Sequence, residues 1–437
     1  MSLSIERFDD YFLALWKYDP FPWQSRLAKQ IFDKKYGWPD CIDLPTASGK
    51  TAAIDIAVFV LACQAEWETK NRTVGRRIFF TVNRRVIVDE AFDRSYMRAE
   101  KLLQADGGIL KEVADALRHI SGDEEAPPLD VAELRGGIYQ DRAWARSITQ
   151  PIVVCTTADQ LGSRLLFRGY GVSASSAPIH AALCGCDSLV LLDEAHVTRA
   201  FSQTMQLLTR YQSQHQTAPA MRFVQMTATP SGNIPENKRF SLKGENWNDP
   251  RNQKLGDRRK ASKPAELVKL EKKKSIVGEI VDRAFKVVGE SPRAVGIIVN
   301  RVQTAREIER LIREEIEKRT TKDEKFRAEA HLVIGRMRPL DRDDLQKTLR
   351  ALVGPGRPDV YKPGDKSVFV VATQCLEVGA DYDFDVLLTE CAALDALRQR
   401  FGRLNRRGRA IEAVAAIITN EESLKGDDPT YDEALKT

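Results

Sequence analysis

Residues 45–51 read Pro-Thr-Ala-Ser-Gly-Lys-Thr, and these types in this order suit the holding of a polyphosphate. Gly49 lets the backbone approach an anion, Lys50 can reach the outer phosphates, and Thr51 can hold magnesium through its hydroxyl. Thr46, Ala47 and Ser48 add successive main-chain N–H groups to the cradle. The natural ligand is a nucleoside triphosphate, ATP in the first instance. Leu44-Pro45 stands where the usual pattern has its first glycine, and an ordinary strand-to-helix turn shares much of this composition.

Two further groups could complete such chemistry. The apolar run 188–192 ends in Asp193-Glu194, and a buried strand ending in adjacent carboxylates is costly unless a cation meets them. Beside a phosphate loop that cation is Mg2+: Asp193 would hold it, and Glu194 would position or deprotonate the attacking water. His196 could link the nucleotide to the next motif or simply pack. The second group is the run 399–409, where Arg400, Arg403, Arg406, Arg407 and Arg409 crowd like charge and need anions to face. Arg403 and Arg406 are the candidates to stabilise charge developing on a transferring phosphoryl group, opposite Lys50; a basic surface helix is the plainer account.

The elements that must position these residues follow from apolar periodicity. Residues 41–44 read as a strand and 52–61 as a helix, so the loop lies in strand, loop, helix order. Residues 21–27 start a helix at an aromatic-proline step, where Gln24 could offer its amide to an adenine edge or serve as a polar helix residue. Strand 78–82 runs into Asn83-Arg84-Arg85, basic residues at a carboxyl end where open α/β sheets hold ligands. Strand 151–155 leads to a helix opened by small hydroxyls around Thr157, and strand 222–226 leads into Thr227-Ala228-Thr229-Pro230. Residues 121–130, acidic with a proline pair, read as a surface loop. Residues 233–274 are polar, basic and without sustained apolar periodicity, and read mostly as a connection. Beyond it come helix 276–288, strand 294–299, a helix from 304, and strands 331–334, 367–371, 385–388 and 413–418. The organisation is thus a first α/β domain over 1–232, a linker over 233–274 and a second α/β domain over 275–437.

Composition bounds the rest. Lys plus Arg of 67 against Asp plus Glu of 62 leaves a net charge of +5, so any nucleic-acid site must be local. The seven cysteines lack Cys-x-x-Cys spacing and read as buried thiols of a reducing compartment. Neither a signal peptide nor a membrane span is legible near the amino terminus, which points to the cytoplasm.

Taken in order, Gln24, residues 46–51, Asp193-Glu194-Ala195-His196, Thr227-Ala228-Thr229, residues 373–381 and residues 399–406 resemble the motifs of superfamily-two helicases. Residues 81–89, 299–305 and 377–385 more narrowly resemble the CRISPR-associated helicase-nuclease of type I interference systems. The resemblance implies two RecA-like domains with mainly parallel sheets flanked by helices, and ATP in the cleft between them. It implies a 3′ to 5′ translocase on single-stranded DNA, recruited by an RNA-guided CRISPR surveillance complex. It also implies that Gly379 and Asp381 join Gln24 and the loop in holding the nucleotide, and that Gln399 joins Arg403 and Arg406 in catalysis. Arg84, Arg85, Thr157, Thr227, Thr229, Asn300, Arg301 and Thr373 would meet the nucleic-acid strand, mostly through phosphate and sugar.

One departure bears on function. The family's nuclease domain carries a His-Asp pair, and none of the five histidines here precedes an aspartate. The chain is therefore expected not to cut DNA itself, the nuclease being a separate protein or a domain beyond Thr437. An RNA helicase, a restriction-type DNA translocase and a non-catalytic nucleic-acid-binding module remain the alternatives.

Overall fold

A strand that is apolar at every position can be buried on both faces, and such strands pair in parallel beneath covering helices. That is the arrangement of the computed structural model, which describes residues 3–136, 143–195, 198–215, 219–228, 234–271, 274–289, 291–335, 337–354, 357–359, 361, 365–377 and 381–420. The chain divides into two compact units, Met1–Gln253 and Lys254–Thr437.

The first unit holds β1 (Cys41–Asp43), β2 (Arg77–Val82), β3 (Asp130–Leu134), β4 (Ile152–Thr157), β5 (Ser188–Asp193), β6 (Arg222–Thr227) and β7 (Arg239–Ser241). They form one seven-stranded sheet in the order β3-β4-β2-β5-β6-β1-β7. Every pairing is parallel. All carboxyl ends therefore lie along one edge, which carries the loop after β1, Arg84 after β2, Thr157 on β4, Asp193 on β5 and Thr227 on β6. The helix Ala53–Cys63 is buried at every position, so it lies inside the unit rather than on its surface. Its one charged residue, Asp55, accepts from Arg98 Nε at 2.8 Å, Arg94 Nη2 at 3.2 Å and Trp16 Nε1 at 3.1 Å. These bonds tie the helices Phe8–Trp16 and Arg85–Leu103 to the helix that follows the loop.

The second unit holds β8 (Ala265–Leu270), β9 (Ala294–Ile298), β10 (Ala328–Val333), β11 (Ser367–Ala372), β12 (Val386–Glu390) and β13 (Val414–Asn420). Their order is β10-β11-β9-β12-β13-β8, again all parallel. Alternation along β11 builds two cores. Phe369 and Val371 join the cluster containing Ile280, Phe285, Ile308 and Ile312, while Val368 and Val370 join Leu349, Val353 and Phe384 on the other face. The fold class read from the sequence, two RecA-like α/β domains with mainly parallel sheets, is the one observed.

The segment 233–274 departs from its reading as a connection. It gives β7 to the first sheet and β8 to the second, and the units divide at Gln253. The physical reason is position at a sheet edge. β7 has only three residues, and Ala265, Glu266, Leu267 and Lys269 of β8 are exposed, so neither strand carries the apolar signature of an interior one.

Candidate nucleotide and nucleic-acid site

The loop after β1 turns by placing two residues in the left-handed region, Ala47 at φ 62° and Gly49 at φ 81°. Glycine adopts this conformation freely, and alanine at a cost of about 1–2 kcal/mol, so the loop holds a shape its composition only half encodes. Several bonds impose that shape. Ser48 Oγ donates to Pro45 O at 2.7 Å, Trp23 Nε1 to Ser48 O at 3.2 Å, and the Leu44 N–H to Thr227 O at 3.1 Å. Gln24 is buried: its Oε1 accepts from the Phe21 N–H at 3.0 Å and its Nε2 donates to Gly49 O at 3.4 Å. A side chain at Gly49 would stand 3.2 Å from that amide nitrogen. Gln24 thus braces the loop from within, closer to the reading of a polar helix residue than to that of an amide offered to a base.

Lys50 is folded inward at 7% exposure, its Nζ donating to Leu44 O at 3.2 Å and Pro45 O at 3.3 Å. Thr51 lies in the short turn Lys50–Ala52 that opens into the buried helix. Asp193 Oδ1 accepts from the Glu194 N–H at 3.0 Å, and Glu194 itself stands at φ 51°. A glutamate in the left-handed region stores strain that the surrounding strand ends must impose. Asp193 aligns with Met226 of β6, which aligns with Ile42 of β1, so the carboxylates and the loop lie two strands apart, roughly 10 Å. At the β1–β7 edge of the sheet, a pocket of about 570 Å³ is lined by Arg26, Asp43, Glu236, Arg239, Phe240 and Lys243, among others, and by no residue of the loop. Burial raises the Asp43 carboxyl above its ordinary range, against the pull of Arg239 and Lys50.

The candidates for nucleic-acid contact divide by exposure. Arg84 and Arg301 begin the helices Arg85–Leu103 and Val302–Lys322, Arg84 half-buried and Arg301 exposed at the carboxyl ends of β2 and β9. Thr157, Thr227, Asn300 and Thr373 are buried, contrary to a surface role for their side chains. Asn300 in particular is spent inside: its Nδ2 donates to Cys391 O and its Oδ1 accepts from Arg400 Nη2, both at 2.9 Å. The Arg85 side chain, His196, Thr229 and Gly379 lie outside the described residues.

The arginine run finds its anions within the chain. Arg400 is fully buried and pairs with Glu377 at 2.8 Å, also donating to Thr389 Oγ1 and Glu390 O. Arg403 is buried too, donating to Leu376 O and Glu377 O, both at 3.0 Å. That places Arg403 as an internal clamp rather than a guanidinium presented outward. Arg406 Nε pairs with Asp381 Oδ1 at 2.5 Å, and this carboxylate is 52% exposed. Burial opposes ionisation of Asp381, but Arg406, Arg403 and Arg258 together outweigh it and hold its pKa below the usual range. Gln399 is half-buried on the helix Leu394–Phe401. Sequence reading missed the partners Glu377, Asp383, Asp385 and Arg357; the alternate carboxylates at 381, 383 and 385, so close to five like charges, were the available signal.

Two parallel-sheet units, the first with a phosphate-type loop and paired carboxylates on one edge, have the fold of superfamily-two helicases. Residues 291–409 match the family model for the C-terminal part of the CRISPR-associated nuclease/helicase Cas3. A putative CRISPR-associated nuclease/helicase Cas3 of Methanocaldococcus jannaschii is 28% identical over 135 residues, 31% of this chain and 16% of that protein. The structure of T. fusca Cas3 with ADP superposes with a TM-score of 0.61 at 16% identity, covering 98% of this chain and 49% of that one. Mycobacterium smegmatis helicase Lhr, solved with single-stranded DNA and AMP-PNP, gives a TM-score of 0.54 at 17% identity over 95% of this chain and 47% of that one. Residues 291–409 are thus similar to the C-terminal part of Cas3, the chain shares the fold of these helicases, and it spans about half the length of these solved relatives.

Proposed function

We propose that this chain is an ATP-driven motor that moves 3′ to 5′ on single-stranded DNA. In this reading it is the helicase portion of type I CRISPR interference, recruited by an RNA-guided surveillance complex and working with a nuclease domain supplied separately or in the same protein. The observation that carries the reading is the loop: its backbone is held in an anion-ready turn by Trp23, Gln24 and Thr227, while Lys50 rests on two carbonyls it can leave for a phosphate. The match of residues 291–409 to Cas3 supports the choice of DNA and of the CRISPR setting.

Thr51 and Asp193 would hold magnesium, which would neutralise phosphate charge. Among the described residues no group of three or more His, Cys, Asp or Glu gathers as a metal site. A two-residue hold completed by phosphate and water suits this ion. Glu194 orients the attacking water and accepts its proton. Arg406 exchanges the exposed Asp381 for the γ-phosphoryl group, and Arg403 keeps the segment in shape from inside. Arg84, Arg85 and Arg301 take strand phosphates at the carboxyl edges, with little preference for sequence.

The test is ATP hydrolysis by the full chain with no nucleic acid, with single-stranded DNA, and with RNA of matched sequence. Stimulation by DNA alone is expected. Stimulation by RNA alone would move the chain to RNA helicases, and absence of hydrolysis would leave a binding module. Lys50→Ala should abolish turnover, and Glu194→Gln should abolish it while ATP still binds; wild-type turnover in either removes the assigned role.

A further inference from the structure

Arg406 is held at two points by two different carboxylates. Its side chain meets the half-exposed Asp381, but its main-chain N–H donates at 2.7 Å to Oδ1 of Asp383, which is fully buried. We propose that Asp383 is a positioning residue for Arg406, fixing where that arginine stands so that only its guanidinium has to move when a phosphate replaces Asp381. This rests on the role given above to Arg406.

The surroundings of Asp383 make it a fixed point. Its Oδ2 accepts from Arg409 Nε at 2.8 Å, its N–H donates to Val353 O at 2.8 Å, and its carbonyl accepts from Arg357 Nη1 at 2.6 Å. Arg409 and Arg357 both reach Asp385 Oδ1, at 2.7 and 2.5 Å, and Asp385 Oδ2 accepts from the Ala294 N–H at the start of β9. Two buried acids thus face two buried arginines, so the charges balance without an outside ion, as buried charges must. Asn405 closes the turn around Arg409, its Oδ1 accepting from the Arg409 N–H at 2.8 Å and its Nδ2 donating to Arg409 O at 3.0 Å. The sequence Arg406 to Arg409 is therefore anchored to the sheet at its backbone, while the Arg406 side chain is held by a carboxylate open to solvent and by a long 3.4 Å bond from Nη1 to Gly402 O. A buried anchor with an exchangeable tip is what a cation needs if it must leave one anion for another without its backbone wandering.

The experiment is a double-mutant cycle on DNA-stimulated ATP hydrolysis by the full chain, with Asp383→Asn, Arg406→Ala and both together. Arg406→Ala should lower kcat about a thousandfold or more. Asp383→Asn should lower kcat by about tenfold to a hundredfold, as misplacement by an ångström does, with KM for ATP within about twofold of wild type. The double variant should be no slower than Arg406→Ala alone, since the position of an absent guanidinium has no effect. Losses that multiply would overturn the proposal, because a general structural defect acts whether or not Arg406 is present. Arg409→Lys, which keeps the buried charge, is the second variant and should show the same non-additivity. If neither variant folds, Asp383 is a folding residue and the proposal fails. Wild-type kcat in Arg406→Ala would instead sink the role of Arg406, whereas an inactive Arg406→Ala beside fully active Asp383 variants would sink this inference alone.

Discussion

Lys263 carries its charge against its surroundings. Its Nζ donates to Phe401 O at 2.9 Å, and burial, with repulsion from Arg406, pushes its pKa down from 10.5 to about 8. Below pH 8 both folded and unfolded chains hold this proton, and the folded state bears the full cost of the buried charge. Between about 8 and 10.5 the unfolded chain keeps a proton that the folded chain has shed, so stability rises with pH through that window. Lys263→Met should remove this contribution, and the difference in melting temperature between variant and wild type should narrow as pH climbs through the same range; a difference that stays constant would show that Lys263 titrates normally. Asp55 is a buried charge of the first unit that is paired. Its carboxylate is the acceptor for Arg98 Nε, while Arg98 Nη1 and Nη2 are buried without a hydrogen-bond partner among the described residues. Asp55→Ala should cost about 3–5 kcal/mol, read from urea unfolding, because it strands a buried guanidinium. The thiols behave as their burial dictates: those of Cys41, Cys63, Cys155 and Cys184 are pushed up to about 12, so they stay protonated at neutral pH.

At the scale of elements, interior strands were legible and most edge strands were not, β10, read at 331–334, being the exception. β5 and β11 are buried at nearly every position, and a continuous apolar run gave both away. β3, β7 and β8 end their sheets, where one side needs no apolar residues; β7 and β8 fell within the segment read as a connection, and β3 was given no element beyond the loop read at 121–130. The loop and the carboxylate pair stood out in the sequence because few residue types suit that chemistry. The arginine run was read correctly as needing anions, yet Asp383, Asp385 and Arg357 could not be matched to it, since that pairing exists only once β9, β12 and residues 401–409 meet. One contact in this region is steric. Gly408 stands at φ 69°, and a Cβ there would lie 2.4 Å from the Asp257 carbonyl carbon and 2.5 Å from Arg258 N. Gly408→Ala should therefore cost about 2–4 kcal/mol by urea unfolding, from overpacking and the left-handed backbone together. An unchanged midpoint would mean that the helix Gln253–Lys260 yields without cost.

For the molecule as a whole, the net charge of +5 is too small to bind a polyanion by itself. Any affinity for single strands must come from local arginines such as Arg84 and Arg301, and the DNA concentration giving half-maximal stimulation of hydrolysis should rise with salt. Insensitivity to salt between about 50 and 200 mM would argue against phosphate contacts. No helix among the described residues is long and apolar enough to cross a membrane.

The pairing of β8 with β13 has a practical outcome for anyone wishing to study the halves apart. From Ala415 to Asn420, β13 bonds on one side to β8, whose residues precede the second unit's first long helix, Ile276–Val288. A fragment begun at residue 275 would leave that row of N–H and C=O groups bare, a template on which a second molecule can add its own strand. Cutting after Gln253 keeps the protective strand in place. The shorter fragment should self-associate at concentrations where the longer one stays monomeric.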